Sequence, residues 1–248
     1  MAFEFGSGLL YGIRNDISNG TPQRFGTMQD VTFDFSGDMK ELFGQYQYPV
    51  AIARGKSKIE GKAKFATVSG TLFNNIYFGV SNPTAAGSLV WAFQEAASIP
   101  ATTPFTYTVS NAATFDTDLG VLHTSTGLPF TKVASAPTTG QYAVSSTGVY
   151  TFASADTGIA ILIDYTYASA TVGTTVAAGN PLMGNTPTFE AVFCQTFQNK
   201  ILTVKLFSCV AGKLSYGTKI DDFAIPEIDF QGFANSAGNT ISITVSDQ

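Results

Sequence analysis

Between Arg54 and Lys64 the even positions carry Arg54, Lys56, Lys58, Lys62 and Lys64, interrupted only by Glu60. The odd positions carry Ser57, Ile59, Ala63 and Phe65. A strand sends alternate side chains to opposite faces, so this sorting predicts one long strand or a bent pair over 49–65. One of its faces bears a stripe of cations and the other faces a core. Val31-Thr32-Phe33-Asp34-Phe35 alternates in the same way, with its apolar residues at odd positions.

Other strand signals follow along the chain. Leu9 to Ile13 reads as a strand ending at Arg14-Asn15-Asp16, and Asn19-Gly20-Thr21-Pro22 is a turn. Arg24 to Phe35 is a second strand. Ser36 to Tyr48 is expected to be a long connection, and it carries Phe43, Gln45, Tyr46 and Tyr48. Connections of this length are commonly functional, and exposed aromatics in one need a covering surface. Ser69 to Phe78 is the best helix candidate. Ser69 can cap it, Leu72, Phe73, Ile76 and Tyr77 have the spacing of a buried face, and Gly79 can end it. Phe189 to Phe197 and Lys200 to Cys209 flank Gln198-Asn199 as a hairpin. Segments 222–225, 228–233 and 240–245 complete the strand set. The predicted class is mainly β: a sandwich or barrel subunit with one short helix.

Composition divides the chain. Residues 100–180 hold one cation, Lys132, against Asp116, Asp118, Asp156 and Asp164, and are rich in Thr, Ala, Ser and Gly. Short strands at 105–109, 141–145, 148–153 and 159–167 lie between turn signals, the pattern of a small β-sandwich. We expect an inserted domain over 100–180, with 1–99 and 181–248 forming the main domain. Charged residues make up only 12% of the 248-residue chain, about half the usual ~25%. Such a surface favours burial against partners. A net charge of -5 argues against nucleic-acid binding by the whole surface. Met1 to Phe5 has no secretory-signal pattern, and no run approaches the ~20 apolar residues of a membrane helix, so synthesis in the cytoplasm without membrane insertion is expected.

Motifs for chemistry are sparse. His123 is the one histidine and has no second histidine or nearby cysteine to complete a metal or nucleophile site. If Gln198-Asn199 is a two-residue turn, Cys194 falls opposite Thr203 and Cys209 opposite Thr188. The cysteines are then ~20 Å apart at ~3.4 Å per residue, too far for a disulfide. Gly6-Ser7-Gly8 and Gly55-Lys56-Ser57 lack the spacing of a phosphate loop. Asp221-Asp222 and Glu227/Asp229 match a glycosidase acid pair by residue type only. No enzyme constellation and no cofactor is expected. The cationic stripe has two readings. One is a nucleic-acid groove; the other is pairing with carboxylates across strands or subunits. Glu227 and Asp229 share a parity, as do Asp30 and Asp34, and such pairs stabilise a sheet by roughly 0.2–1 kcal/mol each. The stripe lacks aromatics for base stacking, which favours pairing.

Segment 35–55, from Phe35-Ser36-Gly37-Asp38 through Phe43-Gly44-Gln45-Tyr46-Gln47-Tyr48-Pro49 to Arg54-Gly55, resembles the first half of tail tube (major tail) proteins of tailed bacteriophages. So do Lys58-Ile59-Glu60-Gly61-Lys62-Ala63-Lys64-Phe65 and, near the end, Asp222-Phe223-Ala224-Ile225-Pro226-Glu227-Ile228-Asp229-Phe230. Asp118-Leu119-Gly120-Val121, Gly140-Gln141-Tyr142 and Gly148-Val149-Tyr150-Thr151-Phe152 look like a small β-module carried by some phage structural proteins. The resemblance implies hexameric rings stacked into a tube in the virion tail, in contact with other tail proteins and passing DNA without specific binding. It implies that Ser36 to Tyr48 is the loop between rings and that Ser69 to Phe78 packs outside the barrel. The Lys stripe is then expected at subunit contacts, with Asp30, Asp34, Glu227 and Asp229 as its partners or as lumen acids. The alternatives are a virion decoration protein, the tube of a contractile injection system, or a carbohydrate- or receptor-binding β protein.

Overall fold

The computed structural model describes residues 6–80, 87, 89–198 and 200–246. Its chain divides into two compact units, Met1–Asn82 with Val176–Gln248 and Pro83–Thr175. The first unit opens with β1 (Leu9–Arg14), β2 (Gln23–Arg24), β3 (Met28–Phe43) and β4 (Pro49–Phe65). Then come α1 (Gly70–Phe73) and one wider π-type turn over Asn74–Phe78. The second unit holds β5 (Val90–Ser98), β6 (Thr106–Thr108), β7 (Phe115–His123), β8 (Thr131–Lys132), β9 (Gln141–Val144), β10 (Val149–Phe152) and β11 (Ala160–Tyr167). The chain returns to the first unit with β12 (Phe189–Phe197), β13 (Lys200–Ser215), β14 (Glu227–Gly232) and β15 (Ile241–Val245). The protein is mainly β.

The first unit is one antiparallel sheet in the order β2-β1-β12-β13-β14-β4-β3, with β15 also paired to β13. The sheet curls over its own inner face. Phe33 of β3 meets Phe193 of β12 edge-to-face at 5.7 Å between ring centres, and Phe189 meets Phe230 at the same distance. Leu10, Phe65, Phe189, Leu206 and Phe230 form the middle of this core and are essentially inaccessible to water. Burying each such side chain contributes roughly 1.5–3 kcal/mol. Gly61 sits where any Cβ would strike the Phe230 ring, so a glycine between Ile59 and Ala63 lets β14 close onto β4.

The helical segment fills the span its sequence predicts, from the Ser69 cap to Phe78, but only Gly70–Phe73 is α-helical and the rest is the wider turn. The Ser69 side chain accepts from the Leu72 N–H as expected, and Gly79 ends the segment with φ 68°. Leu72 and Ile76 are buried in the first unit's core. Between them Asn74 is buried as well. Its amide donates to the Val80 carbonyl and accepts from the Val80 N–H, so a polar clamp, not an apolar contact, holds the segment's exit.

Several strand boundaries differ from expectation. The segment expected as one strand over 24–35 is broken at Phe25-Gly26-Thr27, where Phe25 turns into the core. Residues 222–225 lie in an irregular segment and form no strand. β12 and β13 pair with Cys194 opposite Thr203, but a bulge between Phe189 and Ala191 puts Cys209 opposite Phe189 and not Thr188. Both cysteines are free, and burial pushes the Cys209 thiol up to about 12. Gln198 takes the left-handed conformation at φ 49°, while Asn199 lies outside the described residues.

The second unit begins earlier than the composition shift at 100. β5 pairs with β11 in a three-stranded sheet, β5-β11-β7, so Val90–Ser98 belongs to the insertion. A second sheet, β6-β10-β9-β8, shares one apolar core with it, made of Val121, Ile161, Ile163 and Tyr165 against Tyr142, Tyr150 and Phe152. Two carboxylates tie this core together. Asp118, with a side chain only 4% exposed, accepts from the hydroxyls of Tyr142 at 2.7 Å and Tyr150 at 2.8 Å and pairs with Lys132 at 2.9 Å. Glu95 accepts from the hydroxyls of Tyr165 at 2.6 Å and Tyr107 at 2.9 Å and from Ser110.

Desolvation works to raise the Glu95 carboxyl, but donation from Tyr165, Ser110 and Tyr107 outweighs it and holds the group below the ordinary carboxylate range. A depressed carboxyl stabilises the fold at pH values above its unfolded pKa of ~4.3, and that stabilisation is lost as pH falls through the folded value. Trp91, the one tryptophan, lies on β5 and reports this unit. The fluorescence melting midpoint of Trp91 should fall on acidification below about pH 4, and Glu95→Gln should lower the neutral-pH midpoint while flattening that acid limb. An acid limb unchanged in the variant would contradict the assignment.

Candidate functional site

β3 and β4 form the longest ladder of the molecule, and only half of that ladder belongs to the sheet. Beyond Phe35 and Ile59 both strands run on as a two-stranded arm, closed by the tip at residues 44–48. Residues 34–58 of the arm and its root are exposed, apart from the half-buried Pro49. The expected long connection at 36–48 is therefore strand as far as Phe43, with only 44–48 as a turn. The reason is pairing: Lys40 to Phe43 form a ladder with Pro49 to Ala53. A bulge between Gly37 and Met39 shifts the register by one residue, so Met39 comes opposite Arg54 on the cationic face.

The arm carries apolar groups on both faces. Phe43 is 55% exposed, Tyr46 73%, Tyr48 80% and Val50 69%, and Met39, Leu42 and Ile52 are also exposed. Gln45 stands among them at the tip. An isolated two-stranded hairpin is marginally stable in water, and an apolar one is an aggregation hazard. β3 is also the terminal strand of the sheet, with no strand on its outer edge among the described residues. Both features favour a partner that covers the arm and completes the edge.

The expected parity of β4 is present. Gly61, Ala63 and Phe65 are buried and Ile59 is half-buried, while the cations face outward. The stripe nevertheless divides into two parts. At the sheet end it is neutralised within the chain. Lys64 lies between Asp30 of β3 and Glu227 of β14, and Lys62 lies between Thr32 and Asp229. Lys62 Nζ is 2.8 Å from Glu227, Lys64 is 4.0 Å from it, and Lys213 of β13 reaches Glu227 at 3.4 Å and Asp229 at 3.9 Å. Asp34 sits opposite Glu60, which takes the salt bridge from Lys58. Lys62 and Lys64 are thus paired with a carboxylate within the chain while staying partly exposed. Arg54 and Lys56 lie out on the arm and have no ion-pair partner among the described residues.

The Lys62 ammonium donates to Glu227, and with Lys213 it holds that carboxyl below its ordinary range against a smaller opposing effect of desolvation. The same contact raises Lys62. Lys213 is the member that sequence reasoning missed. Its signal is the bulge between Ala211 and Lys213, which puts Lys213 opposite Asp229. Sequence reasoning also missed that the segment 216–226 is exposed from 216 to 223, where Ile220 is 101% and Phe223 85% exposed, before Pro226 turns back into the unit. Elsewhere, His123 contacts the Ser125 hydroxyl and stacks on Phe130, and no group of three or more metal-ligating side chains occurs among the described residues. No helix of the described residues is long and apolar enough to cross a membrane.

No protein-family model matches this chain, and no curated protein matches it significantly.

Half-exposed ion pairs are screened by salt. Glu227→Gln should lower the urea midpoint at low ionic strength, and the difference from wild type should shrink towards zero near 1 M salt. Exchanging the partners, Lys62→Glu with Glu227→Lys, should recover only part of the loss, because Lys213 would still face Lys at 227. A salt-independent loss in Glu227→Gln would mean packing, not charge.

Proposed function

We propose that this chain is a structural subunit of a bacteriophage tail tube, assembling as hexameric rings that stack into a channel for DNA passage. The observation that carries the reading is the arm. Two paired strands leave the sheet, expose aromatic and aliphatic groups on both faces, and have no function for a solitary subunit. Covering them with another copy removes both the apolar exposure and the marginal stability of a lone hairpin. The open outer edge of β3 supports the same reading, since ring closure between copies pairs sheet edges that are hazards in a monomer. The tail-tube resemblance of segment 35–65 falls on this arm and its root. The pairing of Lys62 and Lys64 inside the chain fits a tube that carries DNA without holding it, because cations already matched by carboxylates release no phosphate counterions. The insertion decorates the tube in this reading. The chain would act in the virion tail, beside other tail proteins.

Deleting Phe43 to Tyr48 should leave folded subunits or rings but stop growth of long tubes, as seen by negative-stain electron microscopy. Tubes of normal length from that deletion would remove the arm from the stacking contact.

A further inference from the structure

We infer that the arm of one copy is received by the 216–226 segment of the next copy. This rests on the stacking role proposed above and names the surface that completes it. The first argument is position. The segment joins β13 to β14 at the Phe65 end of β4: Ser215 pairs with Glu227, Glu227 pairs with Lys64, and the Phe65 N–H donates to the Pro226 carbonyl at 3.1 Å. The tip closes the same ladder at the Pro49 end. Roughly 50 Å of strand separates the two at ~3.4 Å per residue. A contact between opposite ends of one element is head-to-tail, and repeated along an axis it propagates without limit. A tube requires that property.

The second argument is chemistry. The segment presents Ile220 and Phe223 almost fully to water, with Asp221 and Asp222 between them. The arm presents Tyr46, Tyr48 and Val50, with Arg54 and Lys56 behind them. Each side thus offers an apolar patch with adjoining charge: Asp221 and Asp222 outnumber Lys219 on the segment, Lys40, Arg54 and Lys56 outnumber Asp38 and Glu41 on the arm, and the net charges are opposite. Asp222 accepts from the Phe223 N–H at 2.8 Å, and its one ion pair is a long contact of 3.9 Å to Lys219 with both side chains more than half exposed, so its second oxygen is open to a better charged partner. Another exposed apolar stretch of this unit, around Leu182 and Met183, has no charged residue between 176 and 188 and offers the arm's cations nothing. Steering by opposite charge followed by burial of the apolar patch sets both the partner and the direction of growth.

The test uses the full chain and reads assembly by electron microscopy and sedimentation. Arg54→Glu with Lys56→Glu, and separately Asp221→Lys with Asp222→Lys, should each cut tube mass at least tenfold at low salt. Combining all four in one chain should restore it. A second measurement does not depend on tubes: a Tyr46→Cys chain mixed with a Phe223→Cys chain should form a heterodimeric cross-link under mild oxidation. Normal tubes from the Asp221/Asp222 reversal, together with no cross-link, would overturn the receiving segment; if the tip deletion still stopped tube growth, the stacking role would survive. A cross-link in a protein that never forms tubes would leave the contact standing and defeat the tail-tube reading.

Discussion

The pairing of β3 with β4 is the interaction on which the rest of the molecule depends. Its inner half places Phe33, Ala63 and Phe65 on one face, and the curled sheet closes over them. The same alternation forces Lys62 and Lys64 to the other face, where Asp30, Glu227 and Asp229 arrive on the flanking strands. Its outer half has no sheet to lie on. Hydrogen bonds between the two strands hold the arm together, but its side chains are exposed, and nothing among the described residues covers them. One ladder thus supplies a folded core at one end and an unsatisfied surface at the other. Head-to-tail assembly, as proposed above, would cover that surface.

The two units solve the problem of stability differently. The first relies on aromatic packing inside a curled sheet. The second has a small core and fixes it with carboxylates shared between tyrosine hydroxyls, Asp118 on one side and Glu95 on the other. A buried carboxylate is costly unless its acceptors are filled, and here each receives at least three hydrogen bonds or ion pairs. Such a network penalises partial unfolding, because opening one strand strands several polar groups together. That suits a module inserted in the chain at two points.

The sequence was most informative where one face of a strand is wet and the other dry. The β4 stripe and the Cys194–Thr203 register were both legible for that reason. The arm was not. Its side chains are exposed on both faces, so no period-2 contrast distinguishes Ser36 to Phe43 from a loop. β7 was missed because Asp118 faces inward, which breaks the expected alternation; only its tyrosine partners, distant in sequence, explain it. The insertion boundary moved from 100 to 83 because β5, with its Trp91 and Phe93, has the composition of the first unit but pairs with β11. Of the candidate site, the aromatics at 43–48 and the cations were legible by type. Their division into a matched set at Lys62 and Lys64 and an unmatched set at Arg54 and Lys56 needed the register of three strands.

In the assembly proposed above, another copy of the chain covers the exposed arm. Electron microscopy of the purified wild-type protein across a concentration series tests it most directly. Tubes with a central channel, built from stacked rings, are the expected result. A protein that stays monomeric at every concentration and ionic strength, with the arm still exposed, would contradict it.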